Sequence, residues 1–240
     1  MGTINPTRPW LAGLPRLIFI SDMGDALSSK ELFPFLRREA VHISSEMGSR
    51  HIWLWLTKRP GNMRIFAHSM GGFPANLCAM TTVTSAKTLG RVDQLREVPA
   101  ACRGLSIEPL WERLVPGKLD LKGIHWVIVG GESGARATAR PFQLEWAEEL
   151  REHCRHQGVA FFLKQVGSNP FWKGEPLALA DKHGGDWSEW PEGFRVREFP
   201  DQFRNYRSEA IAAADTSNQP VKNAVTARVR DLDSHPTKTS

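Results

Sequence analysis

The chain has 240 residues, 41 % of them hydrophobic, with 31 Lys and Arg against 26 Asp and Glu and a net charge of +5. That is enough apolar material for one domain with a sizeable core and a tail, and the mild, spread-out positive charge permits contact with nucleic acid without arguing for it. No apolar run is long enough for a secretory leader or a membrane span, so the composition points to the cytoplasm. Cys78, Cys102 and Cys154 stand far apart with no CxxC spacing, and the histidines show no HExxH, so no metal site is expected.

Residues 1–16 read as an entry segment, because Pro6, Pro9 and Pro15 discourage regular structure. Leu17–Ile20 is a short strand with Asp22 and Asp25 just past its end. Glu31 to Met47 reads as a helix, with Leu32, Leu36, Ile43 and Met47 on one face and Pro34 in the first turn. A second strand, 52–56, ends in Thr57-Lys58-Arg59-Pro60, and a third, 77–80, ends in Thr81 to Ser85. A helix carrying Leu89, Val92 and Leu95 stops before Pro99. The fourth strand, 104–107, ends in Glu108-Pro109.

The fifth strand is the clearest signal. Ile124 to Val129 is an apolar, β-branched run bounded by glycine, the pattern of a strand buried on both faces. It ends in Gly130-Gly131-Glu132-Ser133-Gly134, where the glycines allow close approach to the backbone. Phe142 to Gln157 reads as a helix with Gly158 as its C-cap. The sixth strand, 159–163, ends in Lys164-Gln165.

Strand, polar end and helix in repetition predict an α/β fold with a mostly parallel sheet of about six strands in residues 17–166. That suits either an open doubly wound sheet or part of a (β/α) barrel, and in both the functional groups gather at the C-terminal strand ends. That edge offers Asp22, Asp25, Thr57, Lys58, Arg59, Thr82, Glu108, Glu132, Ser133, Lys164 and Gln165. Each has a plainer reading as well. Gly130 to Gly134 is a ligand-facing loop or a turn whose glycines serve packing; it is neither GxxxxGK[ST] nor GxGxxG. Thr57-Lys58-Arg59-Pro60 is a site for a carboxylate or phosphate or a solvated turn before a helix. Glu108 is a metal or hydroxyl partner or a capping carboxylate for the next helix, and Lys164 is foremost an ion-pair partner for Glu108 or Glu132. Residues 167–207, rich in Trp, Gly and Pro, read as an irregular lid over one end of the sheet. Residues 208–240 hold too few apolar side chains to offset their ordering entropy and read as a disordered tail.

Several stretches together resemble one family: 15–27, IWLWLTKRP (52–60), VPAACRGLSIEPL (98–110), WVIVGGESGARATARPF (126–142), VAFFLKQVG (159–167) and GGDWSEWPEGFRVREFP (184–200). It is a phage-associated, radical-SAM-like family with an N-terminal three-cysteine motif, often encoded in phages and mobile elements. The resemblance implies a partial radical-SAM-type barrel. In full-length relatives a cysteine loop would hold a [4Fe–4S] cluster that reduces S-adenosylmethionine to a 5′-deoxyadenosyl radical. By the same resemblance Gly130, Gly131, Glu132 and Ser133 face cofactor or substrate; the strand-end residues Asp22, Asp25, Thr57, Lys58, Arg59, Glu108, Lys164 and Gln165 are the candidates for shaping the substrate pocket. This sequence lacks the cysteine loop, so it cannot support the cluster.

The expectation is therefore an open barrel lacking its first units, with 17–20 at or near an edge. Such a chain shapes a pocket for S-adenosylmethionine and substrate but is inactive alone. Its partner would be a separately encoded cluster-bearing piece or another phage-encoded protein. A degenerate binding module for a nucleotide or nucleic acid, and a decayed fragment, are the rival readings.

Overall fold

A computed structural model describes residues 15–20, 24–114, 117 and 119–204. The expected entry segment up to residue 14, Asp22 and the expected tail lie outside the described residues. Numbered in chain order, the strands are β1 (Leu17–Ile20), β2 (Ile52–Thr57), β3 (Leu77–Thr82), β4 (Cys102–Ile107), β5 (Trp126–Gly130), β6 (Phe142–Gln143), β7 (Ala160–Gln165), β8 (Pro170–Trp172) and β9 (Glu175–Pro176). The helices are α1 (Phe33–Ala40), α2 (Pro60–Ser69), α3 (Gly90–Arg96) and α4 (Leu144–Gln157).

Six strands form one sheet in the order β1-β2-β3-β4-β5-β7, every neighbouring pair parallel. A doubly wound sheet reverses direction at a switch point; this one never does. Each crossover leads to the next strand along, which puts the helices on one face and curls the sheet into an open half-barrel. The two faces bury separate cores. Outward residues such as Trp55, Leu77, Ala79, Leu105, Ile107, Val127, Val129, Phe161 and Leu163 pack with helix residues including Met63, Phe66, Leu95 and Leu150. Inward residues Leu54, Cys78, Met80, Cys102, Trp126 and Ile128 form a second cluster that includes Phe203.

Residues after β7 pack first on α4 and β7, through Trp172, Trp190 and Phe194. They then turn round the β7 edge. Val196 accepts from the Leu163 amide, Glu198 donates to Phe161, and Arg197 reaches the carbonyls of Leu163 and Lys164. Phe199 and Phe203 arrive on the inner face against Trp126, with ring centroids at 5.1 and 6.3 Å. The expected lid is thus a wrap. It touches the strand ends where Gly184 accepts from Val166, and it then lines the barrel interior.

Two expectations need correction. The helix expected over 31–47 is α-helical only over 33–40 and is flanked by 3-10 turns at Lys30–Leu32 and Val41–Ser44. Leu36 and Ile43 are buried, whereas Leu32 is exposed and Met47, also exposed, lies past the point where the chain turns extended at Ser45 and leaves the helix. Helix α2 follows the Thr57-Lys58-Arg59 turn, with Pro60 in its first turn, where a missing amide costs nothing. Phe142 and Gln143 form β6 against Pro170 and Phe171 instead of starting α4. Gly158 does cap α4, in the left-handed conformation at φ 66°.

Candidate functional site

Side-chain alternation brings the polar groups together. Inward positions along β3 are Cys78, Met80 and Thr82; along β4 they are Cys102, Gly104 and Ser106; and Thr82 pairs in register with Ser106. The lower rows of the inner face are apolar and the uppermost row is not. Going round the rim, β3 and β4 contribute Thr82 and Ser106, the end of β4 contributes Glu108, and β7 contributes Lys164 and Gln165.

Consecutive residues of a strand point to opposite faces, yet Lys164 and Gln165 both reach Glu108. The Lys164 ammonium lies 3.1 and 3.2 Å from its two carboxylate oxygens, and Gln165 Nε2 donates to Oε1 at 3.1 Å. A register shift explains this: Val129 pairs with Leu163 but Gly130 pairs with Gln165, so β7 carries one extra residue that re-aims the end of the strand. Gln165 Nε2 also donates to the Gly131 carbonyl at 2.6 Å. With the amide nitrogen held by two acceptors, Oε1 faces the other way, buried and without a hydrogen bond. Ion-pair membership for Lys164 agrees with the plainer sequence reading.

Packing accounts for the two glycines beside them. A Cβ on Gly130 would lie 2.9 Å from Gln165 Nε2 and 3.1 Å from the Glu108 carboxyl, and one on Gly131 would lie 2.5 Å from the Val166 carbonyl. Their bare backbones let the site residues and the 166–167 segment close in. Glu132 turns elsewhere, accepting from the Arg140 amide at 3.1 Å, with the Arg140 guanidinium 3.5 Å away and seated over Trp111 at 4.1 Å. Ser133 is exposed.

Asp25, Thr57 and Arg59 form a separate knot. Asp25 Oδ1 accepts from the Leu27 amide and the Thr57 hydroxyl, and Oδ2 accepts from the Lys58 amide and the Arg59 guanidinium. Every one of those groups is occupied in tying the end of β1 to the end of β2. The Lys58 side chain is left exposed at the rim. Asp22 lies outside the described residues.

Sequence reasoning missed Ser106, Trp111 and Arg140. Ser106 was recoverable, since period two along CRGLSI puts it on the face of Gly104 and Glu108. The Arg140 and Trp111 pairing depends on a loop closure that no local spacing encodes.

The cysteines occupy other places. Cys78 and Cys102 meet inside the inner cluster with sulfurs 3.1 Å apart, and Cys154 is on α4; all three are free and buried. Burial pushes the Cys154 thiol up to about 12, and burial with the Cys102 contact pushes Cys78 well above its ordinary value. They do not converge at the rim, so they do not fit an iron–sulfur cluster there.

The architecture is that of an open (β/α) half-barrel with a polar strand-end rim. Within that class the chain belongs to a family described as a protein of unknown function, DUF5131, which matches residues 5–227. No curated protein and no solved structure matches it. Among the described residues no helix is long and apolar enough to cross a membrane.

Proposed function

We propose that the chain is the pocket-forming core of a radical-SAM-like protein of the kind carried by phages and mobile elements. It binds S-adenosylmethionine and a substrate at the strand ends and is inactive by itself. The observation that supports this most directly is the rim. A sequentially wound half-barrel puts Glu108, Lys164 and Gln165 in one hydrogen-bonded group at the C-terminal edge, the position at which such folds bind ligands.

The residues present fit S-adenosylmethionine in kind, because Gln165 Oε1 is a buried acceptor without a donor and the cofactor carries amino and hydroxyl donors. When bound, the cofactor supplies the reactive carbon–sulfur chemistry; this chain supplies position. Gln165 and the two hydroxyls of Thr82 and Ser106 would hold polar groups. Lys164 holds the Glu108 side chain in place. The Asp25 knot keeps β1 and β2 together below Lys58. A [4Fe–4S] cluster does not fit the cysteines, so the proposal assigns it to a separately encoded polypeptide.

Equilibrium dialysis of the full chain with labelled S-adenosylmethionine tests the reading. Saturable one-site binding that weakens in Glu108→Ala is expected. Absence of saturable binding up to millimolar cofactor overturns it.

A further inference from the structure

The two edges of the half-barrel differ. The β7 edge is covered: Val196 and Glu198 bond its backbone, and Arg197 bridges antiparallel to Phe162. Strand β1 pairs with β2 on one side, and among the described residues nothing pairs with its other side. Its sequence, Leu17-Ile18-Phe19-Ile20, carries neither a charge nor a proline, the devices that usually blunt an edge. Leu17 packs with the inner cluster and Ile20 with the outer one, so alternation puts Phe19 on the apolar inner face. Phe19 is nonetheless 40 % exposed, and Leu17 and Leu56 beside it are only partly buried. An apolar strip thus runs to the β1 edge and stops there, uncovered by the described residues.

The backbone limits what can pair there. In a parallel ladder alternate residues bond the same neighbour. The Arg16 carbonyl accepts from the Ile52 amide, so Arg16, Ile18 and Ile20 turn their backbone groups to β2, while Leu17 and Phe19 turn theirs to the open side. A second β1 running antiparallel can use those groups only in a register that sets odd-numbered residues opposite one another. A two-fold axis at Phe19 does so. It pairs Phe19 with its own copy through two backbone hydrogen bonds and sets the two exposed rings side by side on the inner face. Charge fits the same axis. In the sequence Arg16 stands three residues before Phe19 and Asp22 three after it, so each end of the pairing sets an arginine against an aspartate. In the next permitted register, centred on Ile18, Arg16 would face an isoleucine. We infer that the β1 edge is a homodimer interface, in which two copies of this chain join antiparallel about Phe19 into one continuous sheet. The charges matched about Phe19 favour a second copy over a strand from a different protein. The inference is independent of the cofactor reading.

A contact of one strand pair is small, so the dimer should be weak, with a Kd on the order of micromolar to tens of micromolar. Sedimentation velocity of the full chain from about 1 to about 200 µM spans that range and should show a reversible monomer–dimer equilibrium. Phe19→Lys sets like charges opposite each other and should weaken dimerisation roughly tenfold or more. Arg16→Asp and Asp22→Arg should each weaken it, and the two together should restore it. Cross-linking reads the register directly. A hydrogen-bonded antiparallel pair has its Cα atoms about 5.5 Å apart, within disulfide reach, so diamide should convert Phe19→Cys to a covalent homodimer. Ile18→Cys, opposite Ile20 of the other copy, should stay monomeric on a denaturing gel. The native cysteines are buried and do not compete. Should Phe19→Lys fail to fold, the milder Phe19→Cys change decides the matter. A monomer at every concentration overturns the inference, and is the result expected if residues 1–14 or a different protein take the edge. A dimer that Phe19→Lys leaves intact, a charge swap that does not rescue, or equal cross-linking from Ile18→Cys overturns it as well.

Discussion

Phe203 is the far end of the wrap, and replacing it with alanine tests whether that segment completes the barrel interior. Its side chain is fully buried and packs against Trp126, itself the largest residue of the inner face. Phe→Ala at such a site costs about 3–5 kcal/mol, through lost transfer energy and the cavity left behind. Phe203 lies in a short 3-10 turn that can partly settle into the gap, which favours the lower figure of about 3 kcal/mol. For a domain of about this size each kcal/mol lowers the melting temperature by roughly 2–4 °C, so a fall of about 6–12 °C is expected in scanning calorimetry. Phe203→Leu should lose much less, because most of the volume remains. Phe199→Ala should lose less than Phe203→Ala, since Phe199 touches both Trp126 and Phe162 but is only partly buried. Unfolding of Phe203→Ala within about 2 °C of the parent would refute the reasoning. The wrap would then be a detachable strap, not part of the core.

Glu108→Ala should destabilise by about 1–2 kcal/mol, because it strands both the Lys164 ammonium and one Gln165 amide hydrogen. In a urea double-mutant cycle with Lys164→Ala the coupling should be below about 1 kcal/mol, since the Lys164 side chain is 43 % exposed; a much larger coupling would contradict this solvent-screened pair. The thiols should be inert in the folded protein. With Cys154 pushed up to about 12 and Cys78 also raised, neither supplies thiolate at pH 8, so a disulfide reagent should label them only on unfolding; a fast native phase would refute this. Asp181 is partly buried, which opposes its charge, but the amides of His183, Gly185 and Asp186 hydrogen-bond it and hold its carboxyl below the usual range. Its contribution is therefore complete above the ordinary Asp value of about 3.9 and is lost as pH falls through the lowered one. Asp181→Asn should flatten the acid limb of the stability curve, and an unchanged limb would count against the capping role.

The sheet was legible because each strand is a short apolar run with a polar stop, and burial on both faces demands such runs. Its winding was left open by the runs themselves, between a doubly wound sheet and part of a barrel, because strand order depends on which face each crossover covers; the family resemblance implied the open part-barrel, and the sheet is one. The rim was legible as a set of strand-end residues and, in the pairing of Lys164 with Glu108, partly as a grouping. Asp25 and Thr57 lie at strand ends, yet they bond each other, while Lys164 and Gln165 share a target only because of the bulge opposite Gly130. Alternation by itself would have sent them to opposite faces.

The wrap explains how a half-barrel keeps an apolar interior. In a closed barrel inward side chains pack against those of strands across the interior. Here Phe199 and Phe203 take that role for Trp126, Phe162 and the lower rows, and Val196 to Glu198 cover the β7 edge. The sheet therefore keeps an apolar interior without closing.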